Sequence, residues 1–291
     1  MANYGSFGSS ITLLPTGSVL KAGGATDQLF QVETIIANAG FSNNTINASG
    51  AASPASINVN LGLSTNNLQV VGGPFLTFTA TNFDDVIGTN QSDTITGDGQ
   101  ANILSGNAGN DIINGGLGKD TLNGGSGIDT LTGNGNADED IFVFQFGQST
   151  ISNPDRITDF TINTINPANA DKIGLSFLPV SFTRAANSTA TTTTALATQV
   201  FTDANGLLAG NQALGANSAA LVQVNSVAIA GIYLLINDST ATLSSTNDLL
   251  VNITGFGGTL PGFGNITPVS SFFTLPGFGN ITPVSSFFTV V

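Results

Sequence analysis

Between residues 84 and 140 an aspartate returns at one fixed phase of a glycine-led block of nine residues. The blocks read GTNQSDTIT, GDGQANILS, GNAGNDIIN, GGLGKDTLN and GGSGIDTLT, and they open at Gly88, Gly97, Gly106, Gly115 and Gly124. Position six holds Asp93, Asn102, Asp111, Asp120 and Asp129. Ahead of them FDDVI sets Asp84 in the same phase. Behind them the frame stretches by two residues after Gly133, and Asp138 or Asp140 follows. Over this stretch ten acidic residues face a single lysine, Lys119. Carboxylates stacked at the spacing of neighbouring strands, about 4.8 Å, repel one another unless a cation lies between them. Calcium is a hard cation that takes roughly six to eight oxygens at about 2.3–2.6 Å, and carboxylates with glycine carbonyls supply that donor set.

The candidate ligands are therefore Asp84, Asp93, Asn102, Asp111, Asp120, Asp129, Asp138 and Asp140. The turn glycines Gly106, Gly109, Gly115, Gly116, Gly118, Gly124, Gly125 and Gly127 join them, because their bare carbonyls can point at an ion. GGLGKDTLN and GGSGIDTLT fit a glycine-rich calcium nonapeptide best, and GNAGNDIIN lacks only the second glycine. The strongest sites are expected between residues 106 and 132, with weaker ones on the edge that holds Asn102. The same residues have another reading, a metal-free solenoid in which Asp and Asn only hydrogen-bond within turns. The fixed phase of Asp, without compensating cations, favours the ion.

These residues need elements to hold them. The last three residues of each block read as a short strand whose middle side chain points inward: Val86, Ile95, Leu104, Ile113, Leu122 and Leu131. Positions seven and nine are mostly Thr, Ser or Asn, as an outward face requires; Ile103 and Ile112 are exceptions. Such a strand buries too little to stand alone, so coils must stack, two blocks to a coil of eighteen residues. The expected fold is all-β, a parallel β-roll or β-solenoid of glycine-rich nonapeptides flanked by further β structure. It sorts the acids onto two edges, Asp93, Asp111 and Asp129 on one, and Asp84, Asn102, Asp120 and Asp138 or Asp140 on the other.

The rest of the composition excludes more than it proposes. The 291-residue chain carries a net charge of −13 with five basic residues, which argues against nucleic acid and anionic membranes as partners. It has neither Cys nor His, so disulfides, the usual zinc sites and Ser-His-Asp or Cys-His catalysis are ruled out. Gly118-Lys119 is followed by Asp120 and is no phosphate loop, and no G-x-S-x-G occurs. Asp203-Ala-Asn-Gly206 has an EF-hand flavour, but Phe201 and Gln212 stand where its first and last acids belong. The chain is not expected to be an enzyme. Residues Met1–Leu20 lack a basic and apolar leader pattern, and the longest apolar run, Val227–Ile236, is too short for a transmembrane helix.

The nonapeptides resemble the repeats-in-toxin (RTX) family, whose members are calcium-dependent β-rolls exported by type I secretion. The resemblance continues through Asp140-Ile-Phe-Val-Phe144, Asn153-Pro-Asp-Arg-Ile-Thr-Asp-Phe160 and Asp171-Lys-Ile-Gly-Leu-Ser176. It implies a role for Asp155, Asp159 and Asp171 in closing the last coil; turn capping is the alternative role for them. Upstream, Val32–Asn38, Asn43–Ser49 and Asn82–Thr89 resemble a β-helical lead-in. Downstream, Phe201–Gly206, Gly231–Asp238 and Asp248–Gly255 resemble the C-terminal block of bluetail-domain surface proteins. The resemblance implies a secreted or cell-surface protein that folds on meeting calcium outside the cell. Its partners would be calcium ions, the type I secretion apparatus, and cell-surface or matrix components. A secreted hydrolase or an adhesin using the roll as an export and folding module is the alternative.

Four segments follow from these readings: a β-rich lead-in (1–81), the roll (82–144), a roll-capping segment with a C-terminal β unit (145–257), and a tail (258–291). Ser56–Leu61, Leu68–Val71, Leu221–Val224, Ile229–Ile236 and Leu249–Ile253 read as strands, and Ser188–Thr194 as a Thr-rich linker. Asp238 and Asp248 read as turn residues before ion ligands. The tail repeats LPGFGNITPVSSFFT at 260–274 and 275–289. A recent duplication explains it; a type I export signal, or extra strands with exposed Phe272, Phe273, Phe287 and Phe288, are its other readings.

Overall fold

The computed structural model describes residues 1–14, 18–21, 24–28, 34–65, 67–72, 76–134, 138–161, 170–207, 212–240, 242–255, 257, 260, 264–265 and 273–274. Each nonapeptide ends in a three-residue strand, and alternate strands enter two different sheets. Thr94–Thr96, Ile112–Asn114 and Thr130–Thr132 are parallel neighbours in one. Asp85–Ile87, Ile103–Ser105, Thr121–Asn123 and Ile141–Val143 are parallel neighbours in the other. Successive coils are thus eighteen residues apart through the repeat, and twenty where the frame stretches, since Thr121 lies beside Ile141.

The register explains the core. Ile46, Val86, Leu104, Leu122, Phe142 and Ile173 are aligned across one sheet. Val59, Ile95, Ile113, Leu131 and Ile157 are aligned across the other. All of them are buried, most without any accessible surface, and both columns belong to one cluster that fills the space between the sheets. Each such side chain contributes up to about 1.5–3 kcal/mol of burial, which only the stack makes available. The period-two face switch of a strand sends positions seven and nine outward, so Ile112 is exposed on the surface.

The stack runs beyond the nonapeptides in both directions. Thr45–Asn47 and Ser56–Asn60 continue it in parallel upstream, and Ile11–Leu14 lies parallel beyond Thr45–Asn47. Arg156–Ile157 and Lys172–Gly174 continue it downstream. Further strands, some antiparallel and some parallel, then extend each end, giving a 14-stranded and a 10-stranded sheet among the described residues. Ser56–Asn60 and Leu68–Val71 form where the alternation of apolar residues places them. The C-terminal unit is the antiparallel set Ser218–Val224, Gly231–Ile236 and Leu249–Asn252, close to the strands read from the sequence.

The Thr-rich linker read over Ser188–Thr194 holds as far as Thr192, with one bridge from Ser188 to Val224, and is corrected beyond it. Thr193–Thr202 is an α-helix, and its N-cap Thr192 accepts the Ala195 N–H through Oγ1 at 3.1 Å. Thr has little intrinsic preference for helix, but Leu196, Ala197 and Val200 recur on one face. They pack on Ala220, Val222, Leu235 and Leu250, on the side of the C-terminal sheet that the roll leaves uncovered. Tertiary burial overrides the local composition. In the first tail copy Gly264–Asn265 pairs antiparallel with Ser181–Arg184, and Phe273–Thr274 pairs parallel with Lys172–Gly174. The second copy and the expected exposure of the tail phenylalanines lie outside the described residues.

Candidate metal centre

One oxygen of each position-six carboxylate is fixed by the backbone of the coil before it. On the first edge Asp93, Asp111 and Asp129 donate their N–H groups to Oδ1 of Asp111, Asp129 and Asp155, each at 2.8 Å. Ile57 N–H opens this ladder by donating to Asp93 Oδ1 at 2.6 Å. On the second edge Asn102, Asp120 and Asp140 donate to Oδ1 of Asp120, Asp140 and Asp171 at 2.8, 2.9 and 3.1 Å. The parallel register dictates this pattern, because each aspartate sits one residue before its strand and so faces the same residue of the next coil.

The other oxygen has a different fate. Oδ2 of Asp111, Asp120, Asp129 and Asp155 is buried with no hydrogen-bond partner. An unmatched buried acceptor costs about 1–3 kcal/mol, more when it carries charge. Each of these oxygens within the repeat faces the glycine that opens its own block. A Cβ on Gly106 would press on Asp111 Oδ2 and come within 2.5 Å of the Gly124 carbonyl oxygen; one on Gly88 would lie 2.5 Å from Asp93 Oδ2 and 2.6 Å from Gly106 O. Gly115, Gly124 and Gly133 stand in the same way against Oδ2 of Asp120, Asp129 and Asp140. At Asp111, carboxylate and carbonyl oxygens from two coils therefore converge where no donor is placed, and Oδ2 of Asp120 and Asp129 is equally unmatched, whereas Asp93 Oδ2 accepts the Thr89 N–H at 2.6 Å.

The turns that bring the oxygens there depend on positive φ. Gly116 has φ +102° and Gly127 +143°, and a Cβ at either would collide with the carbonyl oxygen one coil back, Asp98 O and Gly109 O respectively. Gly109, Gly118 and Gly125 share the positive φ. Among the described residues three or more acidic side chains nowhere gather as a metal cluster. Each coil delivers one carboxylate per edge, so an ion held here takes most of its shell from backbone carbonyls. An oxygen-only donor set with orphaned carboxylate oxygens fits calcium and no softer metal.

The electrostatics agree. Burial pushes the carboxyls of Asp111 and Asp140 up to about 8, and those of Asp120, Asp155 and Asp171 up to about 7. Asp129 rises to about 6 for the same reason. Asp84 and Asp93 are also raised by burial. Backbone N–H donors oppose the rise in each case, and acidic neighbours along the edge add to it at Asp111, Asp120, Asp140, Asp155 and Asp171. Carboxylates so placed ionise readily only when a cation joins them.

The two edges hold the residues in the order read from the sequence, with three refinements. Asp140, not Asp138, occupies the rung after Asp120; Asp138 is half-buried two residues earlier, because the stretched frame restores the phase only at Asp140. Asn102 donates its amide to Asp84 O at 2.6 Å and accepts Asp98 N–H at 2.8 Å, so both ends of its amide are engaged. Asp84 Oδ2 accepts the Asn44 N–H at 3.1 Å, so it is not orphaned.

Beyond the repeat, Asp155 and Asp171 fill the next rung of each edge. Their signal in the sequence is the step Asp-x-Ile at 155–157 and 171–173. Asp159 instead caps a turn, accepting the N–H groups of Gly133 at 3.0 Å and Asn134 at 2.6 Å. Asp248 accepts N–H groups of Asp238 and Ser244, and Asp238 that of Thr240, all turn contacts. Sequence reasoning missed Asp85, a buried carboxyl raised to about 7 that accepts the Ile103 N–H at 2.9 Å. It stands at an outward position, and no periodic signal marks it.

Residues 87–122 and 114–139 match the family model of the RTX calcium-binding nonapeptide repeat (4 copies). The match stops short of Asp155, Asp171 and the C-terminal block at 201–255. No curated protein matches the chain. Among the described residues no helix is long and apolar enough to cross a membrane. The chain thus carries RTX calcium-binding nonapeptide repeats inside an all-β solenoid, and such repeats bind calcium ions.

Proposed function

We propose that this chain is a secreted or cell-surface protein that folds on binding calcium after export and serves a structural or interaction role. The observation that carries the reading is the row of buried, partnerless Oδ2 atoms of Asp111, Asp120, Asp129 and Asp155. In this reading Asp93, Asp111, Asp129 and Asp155 serve one edge, and Asp120, Asp140 and Asp171 the other. Carbonyls of the turns opened by Gly106, Gly115 and Gly124 complete the shells. Asp84, Asp93, Asn102 and Asp171 mark weaker positions, since their side chains are already engaged; Asp93 Oδ2 accepts the Thr89 N–H and Asp171 Oδ2 the Thr161 N–H, each at 2.6 Å.

Residues 82–144 are then the calcium module, 1–81 its lead-in, 145–257 its cap and 258–291 a tail that includes the export signal. Type I export is supported by the likeness of the repeats. Extracellular modules bind calcium at about 10⁻⁴–10⁻³ M, so such sites stay empty inside a cell and fill outside. The test is calcium titration of the EGTA-stripped chain, counting bound ions by native mass spectrometry while following far-UV circular dichroism. Several ions should bind as the β signal rises and the melting midpoint climbs. A chain equally folded in excess EGTA would overturn folding on calcium.

A further inference from the structure

The first edge does not stop where the glycine repeat stops. Thr150–Thr158 reads TISNPDRIT, a nonapeptide with Asp155 at position six and Ile157 at position eight, but with Thr150 where a glycine opens the others. Asp129 donates its N–H to Asp155 Oδ1 at 2.8 Å, the pattern of the rungs before it. The Asp155 N–H then needs an acceptor of its own, and no further aspartate follows. The next strand is Leu249–Asn252, in which Asn252 lies beside Arg156, so the residue beside Asp155 is Val251.

Ser149 supplies the missing acceptor. The Asp155 N–H donates to Ser149 Oγ at 2.7 Å, and the Ser149 hydroxyl donates to Leu250 O, also at 2.7 Å. The Leu250 N–H donates back to Ser149 O at 3.1 Å, and the Asn252 N–H to Asp155 O at 2.8 Å. Ser149 and Asp155 are both without accessible surface. A hydroxyl accepts and donates at once, whereas an ionised aspartate in the same place can only accept and would face the Leu250 carbonyl unmatched. Ile151, two residues on, is buried in one cluster with Leu235 and Leu250, which holds this turn against the C-terminal sheet.

The manner of closure decides what is left for an ion. At the other three ends of the two edges a backbone N–H takes Oδ2 itself: Asn44 at Asp84, Thr89 at Asp93 and Thr161 at Asp171. At Asp155 the closure falls on the N–H, and Oδ2 stays buried without a partner.

We propose that Ser149 is the positioning residue of the last calcium site on the first edge: it ends the ladder in place of a further aspartate, keeps Asp155 Oδ2 open to an ion, and ties that rung to the C-terminal sheet. This role rests on calcium occupying these edges. Without Ser149 Oγ the buried Asp155 N–H has no acceptor, and its segment must shift to find one. Such a shift carries the carboxylate away from the ion.

Calcium titration of the full chain, with ions counted by native mass spectrometry, tests the role on Ser149→Ala, Asp155→Asn and the double variant. Ser149→Ala should bind one ion fewer than the parent, or bind its last ion at least about tenfold more weakly. Because Ser149 acts through Asp155, the double variant should bind as many ions as Asp155→Asn alone. A Ser149→Ala chain that loses stability equally in calcium and in EGTA, but keeps the parent's ions and affinities, overturns the proposal. A further ion lost in the double variant overturns it too. Should Ser149→Ala not fold, Ser149→Cys, close in shape but a weak acceptor, makes the same decision. A parent chain that binds no calcium overturns the calcium edges and this role together; a calcium-binding parent matched by its Ser149→Ala variant overturns this role alone.

Discussion

Asp111 donates its N–H to Asp129 Oδ1 at 2.8 Å, while Asp129 Oδ2, equally buried, has no partner at all. One carboxylate thus serves two purposes: half of it holds the coils in register and the other half lies open to an ion. The division follows from the parallel stack, in which each coil offers one edge N–H per aspartate. It also separates two contributions that mutagenesis can measure apart.

Asp129→Asn keeps an acceptor for the Asp111 N–H and removes the charge. In calcium the variant should bind at least one ion fewer and lose about 1–3 kcal/mol of stability, the scale of a lost charge-assisted contact. In EGTA its melting temperature should equal or exceed that of the parent, because a neutral amide in this site carries no desolvated charge. Melting curves under both conditions decide the matter, and a variant weakened equally in both would assign Asp129 a purely structural role.

The pH dependence has a definite sign. The edge carboxyls lie at about 6 to 8 in the folded chain, against about 3.8 when unfolded. The calcium-free fold therefore binds more protons than the unfolded chain between those limits. Its stability is greatest below pH 4 and is lost as pH rises through about 8. Calcium competes with those protons, so its affinity should climb over the same interval. Melting in EGTA at pH 4.5, 6 and 8 should show a falling midpoint; a rising one contradicts the proposed burial of the edges.

Much of this was legible in the sequence because a parallel solenoid turns periodicity directly into position. Asp111, Asp129 and Leu122 could be placed on an edge or in the core by counting in nines. Asp138 and Asp140 could not be separated, since an inserted pair of residues can be absorbed before or after either one. The helix at Thr193–Thr202 was hidden by its threonines, because the burial that stabilises it comes from strands twenty to fifty residues away. Asp85 escaped because its burial depends on what covers an outward face, and no repeat records that. Its neighbour Asp84 was found through the repeat alone.

Two glycines on opposite edges offer a steric comparison. At Gly106 a Cβ would press on Asp111 Oδ2 and the Gly124 carbonyl, whereas at Gly99 a Cβ meets nothing within 4 Å. Gly106→Ala should cost about 1–3 kcal/mol through forced displacement and should lower calcium affinity. Gly99→Ala should stay within about 0.5 kcal/mol of the parent with unchanged calcium binding. Calorimetric titration of the two variants side by side tests whether the converging oxygens are the site. Equal affinities would place the ion elsewhere.

Asp155 and Asp159 lie in one short segment, yet the structure gives them opposite duties. Asp155 takes the Asp129 N–H on Oδ1 and leaves Oδ2 buried without a partner, whereas Asp159 spends both oxygens on the N–H groups of Gly133 and Asn134. Asp155→Asn should therefore lower the number of bound calcium ions. Asp159→Ala should leave that number unchanged while removing two hydrogen bonds, a loss of about 1–3 kcal/mol visible with or without calcium. Native mass spectrometry counts the ions and denaturant melts measure the stability. If Asp159→Ala lost an ion and Asp155→Asn did not, the ladder would end at Asp129, and the segment after the repeat would bind metal through a different geometry.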